Sequence, residues 1–221
     1  MTALPIAPPD PTPARLARRV APDRCAHERV LPLPAAVASI APGGLARGSV
    51  VVVSGPVGAG ATSLALQFAA AATVAGEWAA VVDPDGSLGG LTLLAAGVAP
   101  ERCAVVRSVD PARWVAVVGI LLDGITSVIA TPPAHLRAAD ARRLVARARE
   151  RRSILTLLAW DTGRGATVWP AETTLRCTVE TVAWHGLHPG GGLLDHRDLT
   201  VSTDGRGRHG RPAHHALQLA G

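Results

Sequence analysis

An α/β domain, a mainly parallel sheet with helices on both faces and antiparallel strands at its C-terminal end, is the fold this sequence predicts. Three observations carry that prediction. Short apolar, β-branched runs alternate with Ala- and Leu-rich stretches of helical length between about residues 49 and 160. The first of these runs ends in a Gly-rich turn that leads straight into a helical stretch, making a strand, loop and helix unit. From Thr174 onward the texture changes to alternating segments separated by Gly-rich turns, the pattern of antiparallel strands added to one edge.

Residues 1–29 hold Pro5, Pro8, Pro9, Pro11, Pro13 and Pro22, so no regular core element fits there and a flexible tail is expected. A single domain is expected over residues 30–221. Its first strand is 49–54, apolar enough to be buried on both faces, and its first helix is 62–75. Then follow a strand at 78–83, a helix near 88–96, a strand at 103–107 and a helix at 111–122. A strand at 126–130, a helix from about 134 to 151 and a strand at 154–160 complete the alternation. The late strands are expected at 175–182, 198–202 and 215–219.

Composition narrows the chemistry. The 221 residues are 48% apolar, enough for a full core, and the formal charge is +5. All 22 basic residues are arginine. Without lysine, Schiff-base chemistry and the phosphate-gripping lysine of an ordinary ATPase are both excluded. Asparagine and tyrosine are also absent, a bias that matches a GC-rich coding sequence. Cys25, Cys103 and Cys177 are odd in number and widely spaced, which fits neither a disulfide framework nor a zinc site and points to a reducing cytoplasm. No secretory signal is expected in the Pro-rich start, and the longest apolar stretch, 114–122, is too short to span a bilayer, so no membrane association is expected.

The turn Gly55-Pro-Val-Gly58-Ala-Gly60-Ala61-Thr62-Ser63 has the spacing of a phosphate-binding P-loop with Ala61 where lysine belongs. Gly55, Gly58 and Gly60 let the backbone curl so that N–H groups face an anion at a helix N-terminus, and Thr62 and Ser63 add hydroxyls. The charge that would neutralise the β and γ phosphates is missing. A carboxylate to hold Mg²⁺ at the end of a neighbouring strand is missing too, because 128–133 reads Val-Ile-Ala-Thr-Pro-Pro. Codon bias accounts for a lost lysine but not for a lost aspartate, so the loop reads as vestigial. No catalytic residue and no cofactor are expected, although the backbone N–H groups retain a capacity for nucleotide or anion binding. Asp83 and Asp85 follow the second strand, where turn and N-cap roles compete with orienting a water or metal.

Leu31-Pro-Leu-Pro34, the PGGLARGS run at 42–49, the strand after it and the 55–63 loop together resemble the approach to the RecA recombinase core. There the Asp83-Pro-Asp85 segment corresponds to the place of that family's catalytic acid, here shortened. More closely, the PGGL-x-RGS run, the lysine-free loop leading into TSLAL, the 136–144 helix and Trp184-His-Gly-Leu187 resemble the actinobacterial ImuA-prime proteins over about residues 31–220. The resemblance implies a RecA-like P-loop core without catalysis, acting as an adaptor of the mutasome in damage-induced translesion DNA synthesis and mutagenesis. It implies as partners an ImuB-like inactive Y-family polymerase homologue and an error-prone replicative-type polymerase complex. A weak nucleotide-binding or ATP-hydrolysing RecA paralogue and a SulA-like cell-division inhibitor are the alternatives.

Contacts with DNA or a partner are expected from two places. Arg142, Arg143, Arg147 and Arg149 lie largely opposite the apolar arc Ala141, Leu144, Val145 and Ala148 on one helix, a basic face suited to phosphates or carboxylates and to weak nonspecific DNA contact, or simply to solvent. Residues 161–170 lie where RecA carries a DNA-binding loop, with Arg164 set to meet a phosphate and Trp169 set to stack on a base or fill a partner's pocket, or to be buried in a plain connector. His185, His188, His196, His209, His214 and His215 lack the close, repeated spacing of a ligand motif, so no metal site is expected.

Overall fold

A two-residue antiparallel ladder, Val30–Leu31 (β1) with Leu45–Ala46 (β2), precedes the main sheet in a computed structural model that describes residues 29–107, 109–161, 169–188 and 190–220. The expected flexible tail therefore lies outside the described residues, Arg29 excepted. Strands and helices then alternate: Val50–Pro56 (β3), Ala61–Val74 (α1), Ala79–Asp83 (β4), Gly90–Ala95 (α2), Cys103–Arg107 (β5), Trp114–Gly124 (α3), Ser127–Ala130 (β6), Ala138–Arg151 (α4) and Ile154–Asp161 (β7). Leu175–His188 (β8), Gly191–Gly205 (β9) and Ala213–Ala220 (β10) follow. The eight main strands form one sheet in the order β10-β9-β8-β3-β7-β6-β4-β5. From β8 to β5 every pairing is parallel, while β9 and β10 add antiparallel strands beyond β8.

The four valines of β3 explain its central place. Val51 and Val53 face one apolar cluster and Val50 and Val52 the other, and all four are buried, as a strand covered on both faces requires. On the first face α1 supplies Leu64 and Phe68 and α2 supplies Leu93. On the second, α3 supplies Trp114, Val118 and Leu122, and α4 supplies Ala141, Leu144, Val145 and Ala148. Burying a side chain such as Phe68 contributes about 1.5–3 kcal/mol, so the Ala-rich α1 owes its place to a few large residues. The first cluster continues under the C-terminal strands through Val179, Leu199, Val201, Leu217 and Leu219, whereas the α3–α4 cluster includes, among the strands, residues of β3, β4, β6 and β7 only.

Several boundaries differ from expectation for identifiable reasons. β3 runs through Gly55 and Pro56, which pair with Trp160 and Asp161 of β7, so the first glycine of the loop belongs to the sheet. Helix α4 starts at Ala138 rather than near 134, beyond the turn that follows Pro132 and Pro133. β8 and β9 are far longer than the alternating segments suggested, because Gly190, Gly191 and Gly192 all take positive φ and close a hairpin instead of ending the strands. Among the described residues no helix is long and apolar enough to cross a membrane.

One ion pair ties the approach segment to the sheet. Arg47 donates from Nη1 and Nη2 to Glu77 Oε2 and Oε1 at 2.9 and 2.5 Å, and the Thr126 hydroxyl donates to Glu77 Oε2 at 2.5 Å. The two-pronged fit joins the turn after β2, the link between α1 and β4, and the residue before β6. The Arg47 hydrogen bonds hold the Glu77 carboxyl below its ordinary range, against the opposing effect of burial.

Candidate functional site

The Gly-rich loop sits where the carboxyl ends of parallel strands meet a helix N-terminus, the usual place for ligands in such sheets. Gly58 and Gly60 have φ of 82° and 97°, and the loop closes through the Ala59 N–H donating to the Pro56 carbonyl at 3.0 Å. Gly60 is the N-cap of α1 and provides no side-chain hydrogen bond to its first turn. That leaves the N-terminal N–H groups of α1 as the loop's remaining anion-binding capacity.

Gly55 and Gly60 have a second explanation in packing, while a Cβ on Gly58 would meet nothing within 4 Å. A Cβ on Gly55 would stand 3.0 Å from the Val179 carbonyl oxygen, so this glycine admits β8 beside β3. A Cβ on Gly60 would stand 3.0 Å from Leu199 Cδ2 of β9. Ala61, at the lysine position, is 1% exposed and belongs to the apolar core. Ser63 Oγ accepts a hydrogen bond from Arg197 Nη1 of β9 at 2.8 Å. Arg197 also donates to the Ala220 carbonyl at 2.9 Å and lies 5.5 Å over the Trp184 ring, while burial lowers its pKa.

Thr62 lines a cleft of about 270 Å³ together with Asp83, Asp85, Ser87, Thr92 and Thr131. Its charged lining residues are the two carboxylates, and Arg107 Nε approaches Asp83 Oδ2 to 3.9 Å. Asp83 is occupied locally: Oδ1 accepts from the Ser87 N–H and hydroxyl at 3.2 and 3.4 Å, and Oδ2 from the Leu88 N–H at 3.0 Å. This is the turn-capping role that short loops give aspartate. Thr131 follows the last residue of β6, the position expected of a Mg²⁺-binding carboxylate, and β7, which ends at Asp161, separates that strand from β3.

The arginine face of α4 is largely neutralised. Arg147 makes a two-pronged ion pair with Asp123 of α3, joined by Arg151 Nε at 3.1 Å from the same carboxylate. Arg149 pairs with Glu172 at 2.9 Å, a carboxylate shared with Arg206 at 3.0 Å, and Arg143 reaches Asp140 at 3.3 Å. These arginines hold Asp123 and Glu172 below the ordinary carboxylate range. Arg142 has no ion pair among the described residues and is exposed. Trp169 is 4% exposed and packs in the α3–α4 cluster, so of its two expected roles the buried connector holds and the contact with a base or partner does not: its ring is large and apolar, and the core takes it. Arg164 lies outside the described residues.

Pairing within the long hairpin brings together groups that are scattered in sequence. His185 of β8 stands opposite His196 of β9, and Asp198 lies two residues further along the same face. The two imidazoles stack at 4.2 Å with 9° between planes, and His185 Nε2 is 2.9 Å from Asp198 Oδ2. Histidine spacing alone conceals this cluster, because the strand register that creates it depends on where the hairpin turns. His214 and His215 lie apart from it on β10, where the Thr203 hydroxyl and His215 Nε2 are 2.9 Å apart.

No curated protein matches the chain. The family described as the MT3502 N-terminal domain matches residues 39–164, from within the turn of 3₁₀-helix at Ala35–Ile40 through the Gly-rich loop and both helical layers to just past β7. That span is more than half of the sequence, and the chain accordingly belongs to the MT3502 N-terminal domain family.

Proposed function

We propose that the protein is a non-catalytic adaptor with a RecA-like P-loop core, supporting damage-induced translesion DNA synthesis by binding an ImuB-like inactive Y-family polymerase homologue and, through it, an error-prone replicative-type polymerase complex. The partner assignment rests on the ImuA-prime resemblance. The observation that carries the non-catalytic part is the fate of the lysine position: the loop keeps positive-φ glycines leading into the start of α1, while Ala61 is packed into the core. A phosphoryl-transfer site stabilises charge on the transferred group, and here the cleft beside the loop is lined by threonines and two carboxylates without a cation. Supporting the fold part, the loop joins the central strand to the first helix and the neighbouring parallel strands end at the same cleft. A disabled enzyme fold with open strand edges is well suited to binding another protein.

The deciding experiment mixes the purified chain with the polymerase homologue and follows it by size-exclusion chromatography with light scattering, alongside an ATP turnover assay with Mg²⁺. The adaptor reading expects a stable co-eluting complex, no regular filaments on single-stranded DNA with ATP, and no turnover, either for the native chain or for Ala61→Lys. Turnover that disappears in Thr62→Ala would replace it with the weak-ATPase reading. Damage-induced cell filamentation that depends on this protein, without a polymerase complex, would replace it with the division-inhibitor reading.

A further inference from the structure

The exposed face of the β8–β9 hairpin carries a donor set that nothing in the adaptor reading uses. We propose that His185, His196 and Asp198 form a binding site for a single divalent transition-metal ion, with Zn²⁺ the best match. The donor atoms of the three residues all lie within 4.8 Å of one another. His196 Nε2 is 4.0 Å from Asp198 Oδ1, and His185 Nε2 is 2.9 Å from Asp198 Oδ2, so both rings turn the same nitrogen toward one carboxylate.

Three features mark the cluster as built rather than incidental. Asp195 Oδ2 lies 2.9 Å from His196 Nδ1, the carboxylate–histidine pairing that places the proton on Nδ1 and leaves Nε2 free to bind a metal. His185 Nε2 is shut off from solvent, and its contact with Asp198 is not aligned as a hydrogen bond, so a buried polar nitrogen lacks the partner that a metal would provide. The register is pinned by a bulge between His185 and Leu187, where Gly186 has φ of 88° and any Cβ would stand 2.2 Å from the Leu193 carbonyl oxygen.

The donor chemistry selects the metal class. Two imidazoles and one carboxylate suit Zn²⁺, with Cu²⁺ and Ni²⁺ as competitors, and disfavour Mg²⁺ and Ca²⁺, which take all-oxygen sets. Donors around one ion at about 2.0–2.2 Å lie about 3.3 Å from each other, so the present arrangement closes by rotation of the His185 and Asp198 side chains. Both are partly exposed and on the sheet face that α3 and α4 leave uncovered, so among the described residues no helix packs over them, and the rotation has only the His185–His196 stacking to undo. Three protein ligands leave at least one position open to water or to a donor from a partner.

The test uses the full chain stripped of metal with a chelator. Zn²⁺ titration by calorimetry, and Co²⁺ titration followed by visible absorption, should each report one equivalent, with a Zn²⁺ Kd in the range of about 1–10 µM. His185→Gln and His196→Gln should each weaken binding at least tenfold, Asp195→Asn should weaken it by about tenfold through loss of the orienting contact, and His135→Gln should leave it unchanged. Binding weaker than about 1 mM, or equally tight binding in His196→Gln, would overturn the proposal. Should a variant fail to fold, the imidazole NMR signals of the unmodified chain decide. Zn²⁺ must move the His185 and His196 rings, and movement of other histidines alone overturns the site.

Discussion

Leu199 of β9 is seated against Gly60, the left-handed N-cap of α1, closely enough that a single methyl group on the glycine would stand 3.0 Å from Leu199 Cδ2. The C-terminal hairpin is therefore packed onto the Gly-rich loop itself. In the same strand, two residues away, Arg197 hydrogen-bonds Ser63 on the first turn of α1. Loop shape and hairpin position are thus one packing problem.

Gly60→Ala should destabilise the fold by about 1–2 kcal/mol from its left-handed conformation alone, with more lost if Leu199 cannot give way. Urea unfolding of Gly60→Ala, Leu199→Val and the pair measures the coupling. A non-additive cycle is expected, since the residues touch. Strict additivity would show that hairpin and loop are independent.

Removing the Glu77 carboxylate by Glu77→Gln should cost about 1 kcal/mol near neutral pH, because the pair with Arg47 is only partly shielded from solvent. Its folded-state pKa is depressed below the ordinary 4.5, so its stabilisation is fully present above that value and is lost as pH falls through the folded value. Thermal melts of both proteins between about pH 7 and pH 3 should converge at the acid end. A constant difference across that range would show that the charge plays no part.

If α4 touches DNA, the contact is electrostatic and Arg142 contributes more than Arg147. Replacing Arg142 and Arg143 by alanine should reduce the slope of log affinity against log salt by about one, because Arg143 already reaches Asp140, whereas Arg147→Ala should change it little because Asp123 already neutralises that arginine. Asp123→Asn should raise affinity about 2–5-fold at low salt by releasing Arg147 and Arg151. Fluorescence anisotropy with a labelled single strand reads all three. An unchanged slope in the double variant would make the face solvent-directed only.

Arg152 is the C-cap of α4 and the one non-glycine residue with positive φ among the described residues, at 57°. Arg152→Gly should therefore stabilise the protein by about 1 kcal/mol, raising Tm by roughly 2–4 °C. Differential scanning calorimetry checks it; a lower Tm would mean that the arginine side chain supports the fold more than the strained backbone opposes it.

The alternation of strands and helices was legible because each period is local: four successive valines or an Ala/Leu run state their environment within a few residues. The missing lysine is equally plain, since a loop motif is read by position, whereas the strand beside β3 proves to be β7, which ends at Asp161, an order that local sequence does not reveal. What escaped was whatever depends on pairing between distant segments. The arginine face looked open because Asp123 and Glu172, which neutralise it, sit on other elements. Trp169 leaves two readings open from its local sequence, a contact surface or a buried connector, and only its spatial neighbours in the core decide for burial. The stacked His185 and His196 required knowledge of a hairpin register that only the conformation of Gly186 and the turn glycines determines.

The central place of β3 has a consequence for synthesis on the ribosome. Its partners are distant in the chain: Val50 pairs with Leu155, and Val51 with Leu175. At about 5–20 residues per second, translation takes roughly 5–20 s to produce β7 after β3 has been made. Throughout that interval the Val50–Val53 run has neither of its neighbours, although β4, β5 and β6 can already pair among themselves. The nascent protein passes through a half-sheet with an apolar strand waiting beside it, and that interval is when a chaperone has the most to protect.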